Sequence, residues 1–189
     1  MEGESVMKYE IILADCPWPY YGSKVKDAAA GKHYDLMSLD DIAKIPVREM
    51  AEKRAALFLW ATCPRLPDAI DTIRAWGWHY RGVAFAWCKV RKSDGALIHG
   101  QGVPPTFTKP SMELLLVATT MKTGRAFPLL DLAMPQVVLA PRGAHSEKPA
   151  IFRTLITDLL GDRPRVELFA RQQVDGWDAK GIDVDGTRW

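Results

Sequence analysis

Six short apolar runs recur along the chain, at Tyr9–Ala14 (YEIILA), Leu57–Thr62 (LFLWAT), Val83–Val90 (VAFAWCKV), Glu113–Thr120 (ELLLVATT), Gln136–Ala140 (QVVLA) and Arg165–Ala170 (RVELFA). They are continuous rather than alternating, the pattern of strands covered on both faces. Between them the period changes to that of helices. Leu66, Ile70, Ile73 and Trp76 fall on one face, so a helix is predicted over Pro67–Trp76, with Gly77 as its stop signal. A second is predicted from Lys148 to Leu160, with Pro149 in its first turn, Phe152, Leu155, Ile156 and Leu159 inward, and Gly161 beyond its end. Ser38 before LDDIAKI predicts a short third, ended near Pro46 by a missing donor and a ring clash.

Strands interleaved with helices imply a doubly wound, Rossmann-like α/β sandwich: a mostly parallel sheet with helices on both faces. Neither an internal repeat nor a Gly/Ser-rich linker divides the chain, so residues 1–189 are expected to form one domain, with 1–8 a flexible N-terminus. Two irregular segments, 20–35 and 91–111, are long for a compact domain and are therefore candidate substrate loops.

Composition narrows this picture only slightly. With 189 residues, 48% hydrophobic and 25% charged, the chain fits a globular domain with a sizeable core. A net charge of +2 is too mild to identify a partner. Its distribution is less even: residues 81–125 hold Arg81, Lys89, Arg91, Lys92, Lys109, Lys122 and Arg125 against Asp94 and Glu113. That basic stretch fits phosphate contacts, and equally a solvated loop with scattered cations. Cys16, Cys63 and Cys88 are odd in number and far apart, and the four histidines are not closely spaced, so a reducing compartment and no metal are expected. MEGESVMKYE is polar and acidic, and no apolar run approaches a membrane span, so the expected location is cytoplasmic.

Ligands of open α/β sheets bind beyond the carboxyl ends of the strands. There the chain places Asp15-Cys16-Pro17-Trp18 after the first strand and Arg171 after the last. An amine on an aromatic base is a poor nucleophile, because its lone pair is delocalised into the ring. A carboxylate and a backbone carbonyl accepting its two protons would localise that lone pair. Asp15 offers the carboxylate and Cys16 the carbonyl, held extended by the following Pro17. Trp18 offers a face on which an extruded base stacks. Taken alone, the tetrapeptide fits a turn with a packed tryptophan better, and its position after the first strand is what favours the chemistry.

The ordered motifs ILADCPWPY, HYDLMSLDDI, LFLWAT, AWGWHY, WCKV, MELLLVAT, APRGAHSEKP, ELFAR and GWD carry a more specific resemblance, from about Tyr9 to Asp183. The chain resembles the MT-A70 type of N6-adenine methyltransferases, especially compact bacterial and phage members whose signature is ADPPW. The resemblance implies a class I S-adenosylmethionine-dependent methyltransferase fold in permuted order. It also implies methyl transfer from S-adenosylmethionine to adenine N6 in nucleic acid, DNA favoured over RNA. Asp15, Cys16, Pro17 and Trp18 would form the catalytic loop, with Asp15 and Pro17 also beside the cofactor. Tyr34 would lie close to the target base, with Tyr20 also among the substrate-binding residues. Lys148 would meet the cofactor's methionine carboxylate. Glu167, Leu168 and Phe169 would cradle its adenosine, with Arg171 and Gln173 at the ribose.

Two departures stand out. Cys16 replaces the first proline of the signature and brings an oxidisable thiol into the loop. Gly181-Ile182 replaces a Gly-Asn pair, leaving Asp183 as the candidate for the ribose diol. Trp60, Lys89, His99, Lys109 and Glu113, at strand ends or in the basic loop, are candidate substrate contacts. The competing functions are RNA adenosine methylation, cytosine N4 methylation, and a nonenzymatic nucleic-acid-binding scaffold of the same fold.

Overall fold

The computed structural model describes residues 7–19, 36–100, 107–144 and 147–189. The expected roles of Tyr20 and Tyr34, and much of the loop at 20–35, lie outside them. Seven strands, β1 (Tyr9–Ala14), β2 (Ala51–Thr62), β3 (His79–Val90), β4 (Met112–Thr119), β5 (Val137–Pro141), β6 (Arg165–Leu168) and β7 (Asp178–Lys180), form one sheet. Their order is β5-β3-β4-β2-β1-β6-β7. Ladders β1–β2, β1–β6, β6–β7 and β3–β5 are parallel. Only β4 is reversed, antiparallel to both β2 and β3. Its continuous apolar run reflects burial on both faces, which does not depend on strand direction.

Helices α1 (Leu39–Lys44) and α2 (Leu66–Ala75) cover one face, and α3 (Ile151–Leu160) covers the other. Ile42, Ala69 and Ile73 pack on Ile12, Leu57 and Leu59, whereas Phe152 and Ile156 pack on Ile11, Phe58 and Trp60. Adjacent residues of β1 and β2 thus serve opposite cores, as the pleat requires. Ser38 caps α1 by accepting the Asp41 N–H at 3.1 Å. The Trp76 indole donates to the Ile42 carbonyl at 2.8 Å, tying α2 to α1.

Several elements differ from expectation. The third helix begins at Ile151, so Lys148 and Pro149 belong to the preceding loop; Phe152 N–H donates to the Pro149 carbonyl in a tighter turn before regular α-structure starts. The strand expected to reach Ala170 stops at Leu168, because Phe169 adopts φ 61°. Both β2 and β3 begin earlier than their apolar runs, since Glu52, Lys53 and Arg54 are exposed at the start of β2 and a register shift falls near Gly82 in β3. The short β7 has no apolar pattern to reveal it. The basic stretch at 81–125 is divided by the opposed directions of β3 and β4: Arg81, Lys122 and Arg125 lie at one end of the sheet, Lys89, Arg91, Lys92 and Lys109 at the other. Among the described residues, no helix is long and apolar enough to cross a membrane.

Candidate active site

Strand β1 lies between β2 on one side and β6 on the other. The connection from β1 to β2 runs through α1 on one face, and that from β5 to β6 through α3 on the opposite face. The carboxyl end of β1 is therefore a switch point of the sheet, where a crevice opens. Asp15–Pro19 leave the strand into a cavity of about 620 Å³. Its walls come from the ends of β2 (Trp60, Ala61, Thr62), the loop before α3 (Lys148), the turn after β6 (Phe169, Ala170, Arg171) and the tail segment Gly181–Asp183 with Thr187–Trp189.

The Asp15–Pro19 turn is tied down at several points. Trp18 N–H donates back to the Cys16 carbonyl at 2.8 Å. The Trp18 indole N–H donates to the Trp60 carbonyl at 3.0 Å, fixing the ring's orientation on the cavity wall. Met37 N–H donates to the Pro17 carbonyl at 3.1 Å. Arg65 donates through Nε (3.0 Å) and Nη2 (2.6 Å) to the Pro19 carbonyl, while its Nη1 meets Asp68 at 2.8 Å.

Behind the turn, four charged groups from distant parts of the chain meet. Lys148 Nζ donates to Asp15 Oδ2 at 2.8 Å and lies 3.5 Å from Glu113 Oε2. Lys89 Nζ meets Glu113 Oε1 at 2.6 Å. Glu113 reaches this end of the sheet because β4 is reversed: the residue is second in β4, opposite Thr62 at the close of β2. Both lysines also lie over aromatic rings, Lys89 4.9 Å from the Trp87 centroid and Lys148 5.7 Å from that of Trp60.

These surroundings separate the two carboxyl groups. Burial raises the pKa of Asp15, and Lys148 only partly offsets it. Burial acts on Glu113 in the same sense, but Lys148 and Lys89 outweigh it and hold that carboxyl below its usual range. Burial opposes the Lys148 ammonium, yet Asp15 and Glu113 prevail and raise its pKa. Two acids pushed apart in this way suit different tasks: Glu113 stays ionised as a fixed counter-charge, and Asp15 is the better proton acceptor. Cys16 is 4% exposed, and burial followed by the charge of Asp15 pushes its thiol well up. The side chain is thus a neutral thiol, poorly disposed to the oxidation its position in the signature suggested. It brings to the site its backbone carbonyl.

Of the residues singled out in the sequence, Asp15, Cys16, Pro17, Trp18, Trp60, Glu113, Lys148, Phe169, Arg171 and Asp183 converge on this cavity. Others do not line it. Glu167 faces α3, where Arg153 grips its carboxylate at 2.6 and 3.0 Å. Leu168 is fully buried core. Gln173 spends its amide on the Trp177 carbonyl at 2.6 Å. Lys89 stands one residue back, behind Glu113. His99 and Lys109 are exposed away from the cavity. Trp60 is 2% exposed and makes an edge contact with Phe152 at 4.8 Å, so most of its ring is core.

Among the residues not anticipated in the site are Arg65 and Trp189, and Gly181 stands out in the sequence only as part of the departure from the family's Gly-Asn pair. Arg65 stands three residues beyond β2, the place where ligand-facing groups are expected, and that was its available signal. A Cβ at Gly181 would fall 2.3 Å from the Ala170 carbonyl oxygen, a crowding no sequence pattern reveals. Trp189 packs on Phe169, centroids 5.5 Å apart.

The MT-A70 family profile matches residues 9–183. The chain is similar to the type II methyltransferase M.MunI of a Mycoplasma species, 29% identical over 96% of this chain and 80% of that protein. It is 28% identical to the N6-methyladenosine RNA methyltransferase MTA1 of Pyricularia oryzae, over 96% of this chain and 48% of that one. It is 27% identical to the human N(6)-adenine-specific methyltransferase METTL4, over 93% of this chain and 37% of that one. The chain thus spans less than half the length of the last two relatives.

Proposed function

The chain belongs to the MT-A70 family of N6-adenine methyltransferases, and we propose that it transfers the methyl group of S-adenosylmethionine to the N6 amine of adenine, in DNA before RNA. The observation that carries this reading is the placement of Asp15. It is a carboxylate of raised pKa at the carboxyl end of β1, on the wall of a cavity it shares with the pinned Trp18 ring.

The cavity fits a cofactor with a carboxylate at one end and an adenosine at the other. Lys148 supplies the cation for the carboxylate end. Phe169, Arg171 and Asp183 line the end assigned to adenosine and ribose. Gly181, packed against the Phe169–Ala170 backbone without room for a side chain, lets that wall close up. The cofactor supplies an electrophilic methyl group.

This chain's residues do the rest. Trp18 stacks an adenine extruded from its neighbours, a contact of about 1–3 kcal/mol. Asp15 and the Cys16 carbonyl accept the two amine protons and turn the nitrogen lone pair out of the ring. The Cys16 carbonyl already accepts the Trp18 N–H, which fixes its direction and leaves a second lone pair for the amine. As the N–C bond forms, the methyl–sulfur bond breaks with its electron pair left on sulfur as S-adenosylhomocysteine, the nitrogen sheds a proton, and Asp15 takes it. Burial has raised its pKa toward the range where that transfer is efficient. The chain covers 80% of the type II methyltransferase M.MunI but only 48% of the RNA methyltransferase MTA1, which supports DNA before RNA as the polymer.

The test is transfer of labelled methyl to unmethylated single-stranded DNA, duplex DNA and RNA, by the native protein and Asp15→Ala, with the product nucleoside identified after digestion. N6-methyladenine that depends on Asp15 is expected, in DNA above RNA. Product at cytosine, or none on any polymer, would sink the proposal.

A further inference from the structure

We propose that Arg65 is a positioning residue for this reaction: its guanidinium fork holds the Pro19 carbonyl and thereby fixes the turn on which Trp18 presents its ring. The inference rests on the methyltransferase reading of the site.

Pro17 and Pro19 flank Trp18, and neither has an N–H with which to tie the turn to the body of the protein. The segment is therefore anchored through its acceptors. Met37 holds the Pro17 carbonyl, and Arg65 holds that of Pro19 with two donors, at 3.0 and 2.6 Å. The Trp18 indole reaches in the opposite sense to the Trp60 carbonyl. Trp60 lies near the carboxyl end of β2, and Arg65 closes the short turn Cys63–Arg65 that follows it. Two of these anchors thus come from one central strand and the turn that directly follows it, the strand itself paired in parallel with β1, from which Asp15 emerges. The side chains that accept protons and stack the base are located against a single rigid element. Asp68, in the first turn of α2, takes Arg65 Nη1 and aims the remaining nitrogens at Pro19. The pair is largely shielded, with Arg65 13% and Asp68 28% exposed. Hydrogen bonds from a charged donor in such a setting are the strong kind.

An arginine on the wall of a nucleic-acid enzyme's cavity invites a different role, contact with a substrate phosphate. The geometry favours the clamp, because Nε, Nη1 and Nη2 each already donate within the protein. The two roles differ in what lysine can replace. A lysine keeps the charge a phosphate needs but loses the fork that grips one carbonyl twice.

Native protein, Arg65→Ala and Arg65→Lys are compared in steady-state methyl transfer, salt dependence of DNA binding, amide exchange at Trp18 and Met37, and calorimetric binding of S-adenosylmethionine. Misplacing the turn is expected to lower kcat about 10²-fold in both variants. Cofactor affinity and the salt slope should stay near native, and the Trp18 and Met37 amides should exchange faster. Near-native kcat in Arg65→Lys, with a salt slope smaller by about one in Arg65→Ala, would establish a phosphate contact and overturn the clamp. Unchanged kcat and exchange in Arg65→Ala would overturn it too. If native protein transfers no methyl group, the function falls and the exchange rates alone judge the clamp. If Arg65→Ala does not fold, Asp68→Asn takes its place: it keeps the arginine but releases its aim, so a smaller fall in kcat with faster exchange is expected, and native behaviour overturns the proposal.

Discussion

Lys148 and Asp15, 133 residues apart in sequence, form a 2.8 Å hydrogen-bonded ion pair on the cavity wall. The group expected to receive the cofactor's carboxylate is thus in direct contact with the group expected to receive the amine's proton. Lys148 lowers the Asp15 pKa against the larger effect of burial. Removing the lysine, as in Lys148→Met, is therefore expected to do two things. The KM for S-adenosylmethionine should rise at least about tenfold, a loss near 1.4 kcal/mol. The acid limb of kcat/KM should also move to higher pH, because Asp15 loses the charge that favours its ionised form. A profile whose acid limb does not move would show that Lys148 leaves Asp15 unaffected.

The acid limb itself is a second prediction. Asp15 works as the carboxylate, and its folded pKa is raised by burial. Activity should be full above that raised value and fall away below it, at a pH higher than the roughly 3.9 of an ordinary aspartate. Asp15→Asn keeps the shape but cannot take the proton, and kcat is expected to drop by about 10²–10⁴-fold. Binding of S-adenosylmethionine should survive, which calorimetry would check.

Glu113 bears on stability rather than on proton transfer. Its carboxylate is gripped by Lys89 at 2.6 Å and faces Lys148 at 3.5 Å, with 13% of the side chain exposed. Glu113→Gln leaves two partly buried lysines short of a counter-charge, at a cost of about 3 kcal/mol. The pH dependence has a definite sign. Since the folded pKa of Glu113 is depressed, its contribution is complete above the unfolded value near 4.3 and is lost as pH falls through the folded one. Urea midpoints of native and variant protein should therefore differ at neutral pH and converge in acid. A constant gap across the range would reject the assignment.

Much of this architecture was legible in the sequence because burial leaves a periodic trace. The run at Tyr9–Ala14 coincides with β1, and Ser38 before LDDIAKI coincides with the cap and start of α1. Where a residue is shaped by backbone geometry, no such trace exists. Phe169 looks like one more apolar strand residue but turns to φ 61°, which ends β6 and sets its ring on the cavity wall. Glu167, two residues earlier in ELFAR, reads as a site residue through the family's motif, yet the strand's alternation turns it to α3 and Arg153. Glu113 stands out in the sequence only as lying at a strand end; the reason it reaches the active site, the reversal of β4, is something hydrophobic pattern does not encode.

Gly181 offers a test of how tightly the far wall of the cavity is built. A Cβ there would lie 2.3 Å from the Ala170 carbonyl oxygen, 2.8 Å from its nitrogen and 3.1 Å from the Phe169 carbonyl carbon. All are backbone atoms, so no flexible side chain can swing aside. The neighbouring Lys180 carbonyl accepts the Ala170 N–H at 3.1 Å, so the two segments are also bonded together where the clash would occur. Gly181→Ala must then push the end of β7 away from the turn after β6. Overpacking of this kind costs about 1–3 kcal/mol. The segment displaced carries Ile182 and Asp183, so S-adenosylmethionine should bind at least about tenfold more weakly. Ile182→Asn, at a position 49% exposed on the same wall, should leave the thermal midpoint unchanged. Calorimetry and thermal melts of the two variants decide the matter: if Gly181→Ala melts and binds like native protein, the wall yields easily and does not shape the cofactor site.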